Sequence, residues 1–227
     1  MAAAKKNLIF DWNSTLLDDF PIVHQTLNHI LHSAGRAPVT IEQFRASYDI
    51  PFEQLYVNLG FTPDEARHMI DVERDMFHDY YEPAAAAAPL RDGAVDILSH
   101  ARERGIGSYI LSNHIVDPIK VHLSRLKIDH MFDEVLAYAT RETQFRDMTK
   151  GERLRQYRET NRIAAEDTII IGDSVEEIDI GHEQNLISVA ITGGGAEEAR
   201  LRAQKPDYVI HSLHELKPIL KEQGFVS

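Results

Sequence analysis

The chain has no cysteine, one tryptophan among 227 residues, few basic side chains and little low-complexity sequence. Without cysteine there are no disulfides, thiolate metal sites or cysteine nucleophile. Long apolar runs are also missing at the start: after Lys5-Lys6 only Asn7 to Phe10 precede Asp11, too short for a signal-peptide core or a bilayer span. A cytoplasmic location without membrane attachment is therefore expected. Twenty-four basic residues against 36 acidic ones leave a formal charge of −12, which repels nucleic acid and anionic membranes, so neither is expected as a partner. No internal repeat is evident, and the one low-complexity stretch, Ala84 to Ala88 between Pro83 and Pro89, reads as a hinge or spacer.

What is present describes an ordered globular chain, 43% hydrophobic and 26% charged. Its length suits one large domain or a core with a smaller insertion. After the first apolar run, Leu16 to Pro89 reads as wholly helical. Val23, Leu27, Ile30 and Leu31 form one stripe, and Thr40 with Gln43 and Thr62 with Glu65 form capping boxes. From Gly93 onward, helices alternate with short apolar strands, the pattern of a parallel sheet with crossover helices. The expected fold is α/β, a Rossmann-like parallel sheet with helices on both faces plus a small all-helical cap. Residues 1–15 and 90–227 form the expected core and 16–89 the expected cap, with hinges near Leu16 to Asp19 and Pro83 to Pro89.

Three apolar runs end on small polar residues: Leu8-Ile9-Phe10-Asp11, Tyr109-Ile110-Leu111-Ser112 and Ile169-Ile170-Ile171-Gly172-Asp173. On neighbouring parallel strands they would bring two carboxylates and a hydroxyl to one sheet edge, where open α/β sheets bind ligands. Any one of them alone is more simply a turn or cap residue. Glu176 and Glu177 also fit an acidic helix N-terminus, and Glu177 shares a face with Asp173. Oxygen donors without neighbouring histidine or cysteine suit Mg²⁺. Ser112 and Asn113 offer a hydroxyl and amides that could hold a phosphate oxygen. Lys150, at a helix start, reads as a solvated lysine unless the other three residues converge on it. His114 is a candidate substrate contact, as are Arg45 and Arg67 in the helical segment.

In order, Asp11-Trp12-Asn13-Ser14-Thr15, Leu111-Ser112-Asn113, Lys150 and Gly172-Asp173-Ser174-Val175-Glu176-Glu177 resemble the four motifs of the haloacid dehalogenase-like hydrolase superfamily. The helical insertion after the first motif, Gly193-Gly194 and Lys205-Pro206-Asp207-Tyr208-Val209-Ile210 resemble its phosphoglycolate-phosphatase-like branch. The resemblance implies a phosphohydrolase of a small phosphorylated metabolite, acting as a monomer or homodimer. Asp11 would be the nucleophile, forming an aspartyl-phosphate. Mg²⁺ would be held by Asp11, the Asn13 backbone carbonyl and Asp173, with Glu177 reaching it through water. Ser112, Asn113 and Lys150 would bind the phosphoryl group, Ser112 and Lys150 also serving catalysis.

Two departures from that pattern matter. Asn13 stands where family phosphatases carry an aspartate acid, and an amide cannot exchange a proton at neutral pH, which forfeits about 10² to 10⁴ in rate. Slow turnover of alkyl phosphates is therefore expected, with better rates on acyl, aryl or anhydride phosphates. Ser14 replaces the usual glycine, which bears on the turn geometry. Phosphonate-cleaving relatives need a cap lysine, and none lies between Lys6 and Lys120. Two alternatives stay open: a catalytically weakened protein that binds a phosphorylated ligand or regulates, and a metal-independent 2-haloacid dehalogenase.

Overall fold

Short runs rich in isoleucine, leucine and tyrosine, apolar on both faces, assemble into a six-stranded parallel sheet. The structure is a computed structural model and describes residues 5–144 and 146–226, with the side chains of 71–74 outside the description. Residues 1–4, 145 and 227 of the expected core therefore lie outside the described residues. The chain opens with β1 (Asn7–Phe10), then four consecutive helices: α1 (Phe20–Ser33), α2 (Ile41–Ser47), α3 (Phe52–Asn58) and α4 (Pro63–Ala85). It continues through α5 (Ala94–Glu103), β2 (Gly107–Ile115), α6 (Val116–Leu126), β3 (Glu134–Tyr138) and α7 (Lys150–Asn161). The last elements are β4 (Thr168–Gly172), α8 (Val175–Gln184), β5 (Ile187–Ile191), α9 (Glu198–Ala203), β6 (Tyr208–Ile210) and α10 (Leu216–Glu222).

Strand order is β3-β2-β1-β4-β5-β6. Phe10 lies level with Ile110 of β2 and Ile171 of β4. Asp11 thus leaves the sheet at its centre, where the chain order reverses, the place at which such sheets open a crevice beyond their carboxyl ends. Side chains alternate across the sheet. Leu8, Phe10, Ile110 and Ile171 pack with α5, α6 and α10, whereas Ile9, Leu111 and Ile170 pack with Leu154 of α7 and Ile180 of α8. Helices therefore cover both faces, as the sequence pattern predicts.

The four helices after β1 share a core of their own, including Leu27, Ile30 and Leu31 of α1, Phe44 of α2, Leu55 and Tyr56 of α3, and Ala66 and Met69 of α4. Both expected capping boxes form, Thr40 with Gln43 and Thr62 with Glu65. The two crossings into this helical unit lie side by side: Asp18 N–H donates to the Pro89 carbonyl at 2.8 Å, and Leu17 bridges Leu90.

Three details depart from expectation. Helix α4 continues through Pro83 to Ala85, and Ala85 and Ala88 are buried against the sheet's core, so part of the alanine run is close packing rather than spacer. Pro83 lies in the last turn, so its missing N–H forfeits a single intrahelical bond and little helix follows it. Strand β2 runs past Ser112 to Ile115, with its pairing to β3 shifting register between Leu111 and Ile115. Helix α9 has no counterpart in the expectation, since its six residues bury only Leu201 and carry no readable stripe. Among the described residues no helix is long and apolar enough to cross a membrane.

Candidate active site

Asp11, the first residue beyond β1, is fixed by its N–H donating to the Ile171 carbonyl at 2.9 Å. Its carboxylate Oδ1 accepts from Lys150 Nζ at 2.6 Å. Lys150 opens α7, whose Thr149 and Glu152 form a capping box that sets the helix start. Far from being solvated, Lys150 is 2% exposed and also pairs with Glu177, with Glu176 4.0 Å away. Burial alone would lower its pKa, but Asp11, Glu177 and Glu176 outweigh that and raise it. Lys150 is therefore a fixed cation rather than a solvated surface lysine, because its carboxylate partners converge on it.

Asp173, just past β4, accepts from Thr15 Oγ1 at 2.9 Å and from Gly195 N–H at 2.6 Å. A β-carbon at Gly194 would collide with that carboxylate, so glycine allows the loop after β5 to close on it. Burial first, and then the charge of Glu177, push Asp173 up to about 6 against these hydrogen bonds and Lys150. Burial likewise raises Asp11 well above the usual carboxylate range, opposed by Lys150 and reinforced by Glu177 and Asp173. Glu176 is pushed up to about 7 by burial, despite Lys150.

Four carboxylates thus face Lys150, the only fully buried lysine or arginine among the described residues. Such a surplus of hard oxygen donors fits a divalent cation of the Mg²⁺ type. Asp11, Asn13, Ser112, Asn113, Lys150, Asp173 and Glu177 all line one cavity. Glu177 has both oxygens occupied, one by Lys150 and the other by Ser174 at 2.7 Å in its own capping box. Ser112 Oγ accepts from the His114 N–H at 3.1 Å, which leaves its hydroxyl hydrogen free to donate. Asn113 lines the same space, but its side-chain amide donates to Glu176 at 2.7 Å.

Asn13 is held by partners that the sequence did not point to. Its Nδ2 donates to Asp19 Oδ2 and to Tyr81 Oη, each at 2.7 Å, and Tyr81 donates in turn to Asp19. Both amide hydrogens are committed, so Asn13 retains only an acceptor oxygen. Asp19 also accepts from the Ser14 N–H at 2.6 Å, and Ser14 has φ 59°, the left-handed conformation that glycine would adopt. Asp19 therefore secures the turn despite the serine.

At the seam between α4 and β2, His78 and His114 stack with ring centroids 5.1 Å apart. Glu82 Oε1 lies 2.9 Å from His78 Nδ1 and 3.1 Å from His114 Nε2. Burial would raise Glu82, but these histidines hold it down at about 2. Gln144 bridges His78 and the Asn113 carbonyl, both at 2.8 Å. The two arginines named as substrate contacts are engaged elsewhere. Arg45 donates to the Gly194 and Gly193 carbonyls at 2.9 and 2.8 Å, and Arg67 is an exposed partner of Asp64 and Glu53.

The sequence profile described as haloacid dehalogenase-like hydrolase matches residues 8–191, spanning β1 through β5 and all of these side chains. The chain belongs to that family. Among relatives of this haloacid dehalogenase-like hydrolase is the phosphoglycolate phosphatase of Synechococcus elongatus, 25% identical over 212 residues, covering 92% of this chain and 94% of that protein. Pyrophosphatase PpaX of Bacillus mycoides is 22% identical over 216 residues, covering 94% of this chain and 95% of its own length. A haloacid dehalogenase-like family hydrolase of Streptococcus pneumoniae shares the fold, with TM-score 0.79 at 21% identity over 95% of this chain and 98% of that one.

Proposed function

We propose that this hydrolase is a Mg²⁺-dependent phosphohydrolase of a small phosphorylated metabolite that proceeds through an aspartyl-phosphate on Asp11. The observation that carries the reading is the 2.6 Å contact of Asp11 Oδ1 with the buried Lys150, in a cavity shared with Asp173 and Ser112. In this reading residues 16–89 are a cap that closes over a core of 1–15 and 90–227, excluding water and contributing specificity.

Asp11 attacks phosphorus, an Asp11 O–P bond forms, and the bond to the leaving oxygen breaks, its electron pair departing on that oxygen. Lys150 and the Ser112 hydroxyl donate to the phosphoryl oxygens, and phosphoryl transfer depends mainly on such positioning and charge stabilisation. Water then attacks the phosphorus of the acyl phosphate, releasing inorganic phosphate and regenerating the Asp11 carboxylate. Asp11, the Asn13 backbone carbonyl and Asp173 would hold Mg²⁺, with Glu177 acting through water because both its oxygens are already engaged. When bound there, the ion neutralises phosphoryl charge and orients the group for attack.

Asn13 supplies neither a proton to the leaving oxygen nor a base for the water, so alkyl phosphates turn over slowly and the aspartyl-phosphate persists. The same commitment of its amide favours one second reading, a weakened member that captures a phosphorylated ligand without turnover. Phosphate release from acetyl phosphate decides between them: release that requires Mg²⁺ and stops with chelator supports the hydrolase. Binding of phosphate without release supports the second reading. Hydrolysis of a 2-haloacid that survives chelator would instead identify a dehalogenase.

A further inference from the structure

The cavity above Asp11 does not end at the sheet edge. It continues between the helices of the cap, where Phe20, Leu27, Phe44, Leu55, Ile70 and Phe77 form its wall. Phe20, Leu27, Phe44 and Leu55 also belong to the helical unit's own core and are at most 5% exposed, so the cavity enters that core. The walls are aromatic as well as aliphatic, Phe20 and Phe44 lying stacked at 5.5 Å. Among the described residues lining the cavity, Lys150 is the only lysine or arginine, and its ammonium is already shared by Asp11 and Glu177. Arg45 lies over the Phe20 ring, 4.5 Å from its centroid, and is not itself among the lining residues; its guanidinium is spent on the Gly193 and Gly194 carbonyls of the loop after β5.

A second anionic group on a substrate, such as a carboxylate or another phosphate, would lose hydration against this wall and find no uncommitted cation among the described lining residues. An uncharged apolar body would gain there, and an aromatic one would find edge and face contacts as well. The chemistry at Asn13 points the same way independently, since a site with no proton to give favours an oxygen that leaves readily as its anion. A phenolic oxygen combines both properties. We propose that the substrate is an aryl phosphate, a phosphate monoester of an uncharged phenolic group whose ring occupies the cavity between the cap helices. The proposal rests on the phosphohydrolase reading. In the first step the Asp11 O–P bond forms as the aryl O–P bond breaks. The phenolate leaves with the electron pair and takes its proton from water after release. Water cleaves the aspartyl-phosphate, giving inorganic phosphate and free Asp11.

The test measures kcat/KM of the full chain with Mg²⁺ for 1-naphthyl phosphate, acetyl phosphate, 2-phosphoglycolate and pyrophosphate. Naphthyl phosphate is expected to exceed phosphoglycolate and pyrophosphate by about 10²-fold. Ile70→Trp, which narrows the apolar part, is expected to lower the naphthyl-to-acetyl ratio by about tenfold. If phosphoglycolate or pyrophosphate matches naphthyl phosphate while acetyl phosphate is also hydrolysed, the aryl proposal is overturned and the phosphohydrolase reading stands. If none of the four is hydrolysed, that reading fails. Calorimetry on the Asp11→Asn protein then judges the cavity separately. Phenylphosphonate should bind more tightly than methylphosphonate with a negative heat-capacity change, and equal affinity overturns the proposal.

Discussion

The two walls of the cavity are built on opposite principles. At the sheet edge, Asp11, Lys150, Asp173 and Glu177 are buried and Glu176 is half-buried, each held by named partners from other elements. Across from them, the helical wall presents apolar side chains held chiefly by packing, with Arg45 lying over the Phe20 ring. On the proposed reading, the difference teaches that reaction type rests on a few interlocked residues at the strand ends, whereas substrate choice is spread over an apolar surface. Changes at the sheet edge should accordingly alter rates by orders of magnitude, and changes at the seam or the turn should register chiefly in stability.

The largest effect is expected at Asp11. Asp11→Asn should lower Mg²⁺-dependent kcat/KM by at least about 10³-fold, and near-normal turnover would remove the nucleophile from the sheet edge. Lys150→Met should lower kcat by about 10² to 10³-fold. It should also cost about 3–5 kcal/mol in denaturant unfolding, because it leaves buried carboxylates unpaired. Exchange of the amide and acid, Asn13→Asp with Asp19→Asn, should raise kcat on an alkyl phosphate by about 10²-fold. Asn13→Asp alone should gain less, since the new carboxylate would face Asp19 across a contact that now measures 2.7 Å. Equal gains from the single and double variants would show that Asp19 does not govern position 13.

Glu82 probes the seam between the walls. Its carboxyl is held at about 2, below the ordinary value of 4.5, so the stabilisation is complete above about 4.5 and is lost as pH falls toward 2. Glu82→Gln should therefore cost about 2 kcal/mol near pH 7, and the difference from the native chain should shrink across that acid window. A difference independent of pH would mean that Glu82 acts through packing. The smallest effect is expected for Ser14→Gly, which relieves a left-handed serine but loosens the unfolded chain. Its stability should stay within about 1 kcal/mol of the native protein.

The sheet edge was legible because parallel strands buried on both faces read as continuous apolar runs, and polar residues at their ends stand out against them. Lys150 was legible only through convergence, since a lysine at a helix start looks solvated until its carboxylate partners are placed in space. Asp19 and Tyr81 could not be read as partners of Asn13, because Tyr81 reaches Asp19 across 62 residues and Asn13 across 68, through the packing of α4. Nor could the cavity be read from the helical segment. Phe20, Leu27 and Phe44 occupy core positions whether the bundle is solid or hollow, and amphipathic spacing reports burial without reporting what fills the space. The alanine run misled for a related reason, as small side chains suit both a loose spacer and a tight helix contact.

The central claim is that Asp11 becomes phosphorylated and, with Asn13 unable to act as a base, stays so long enough to be observed. Incubating the full chain with acetyl phosphate and Mg²⁺, then quenching in acid and mapping the modified peptide by mass spectrometry, tests it directly. The account predicts one added phosphoryl group on Asp11, absent when Mg²⁺ is chelated. Phosphate release with no modification at Asp11, or a phosphoryl group on another residue, would contradict it.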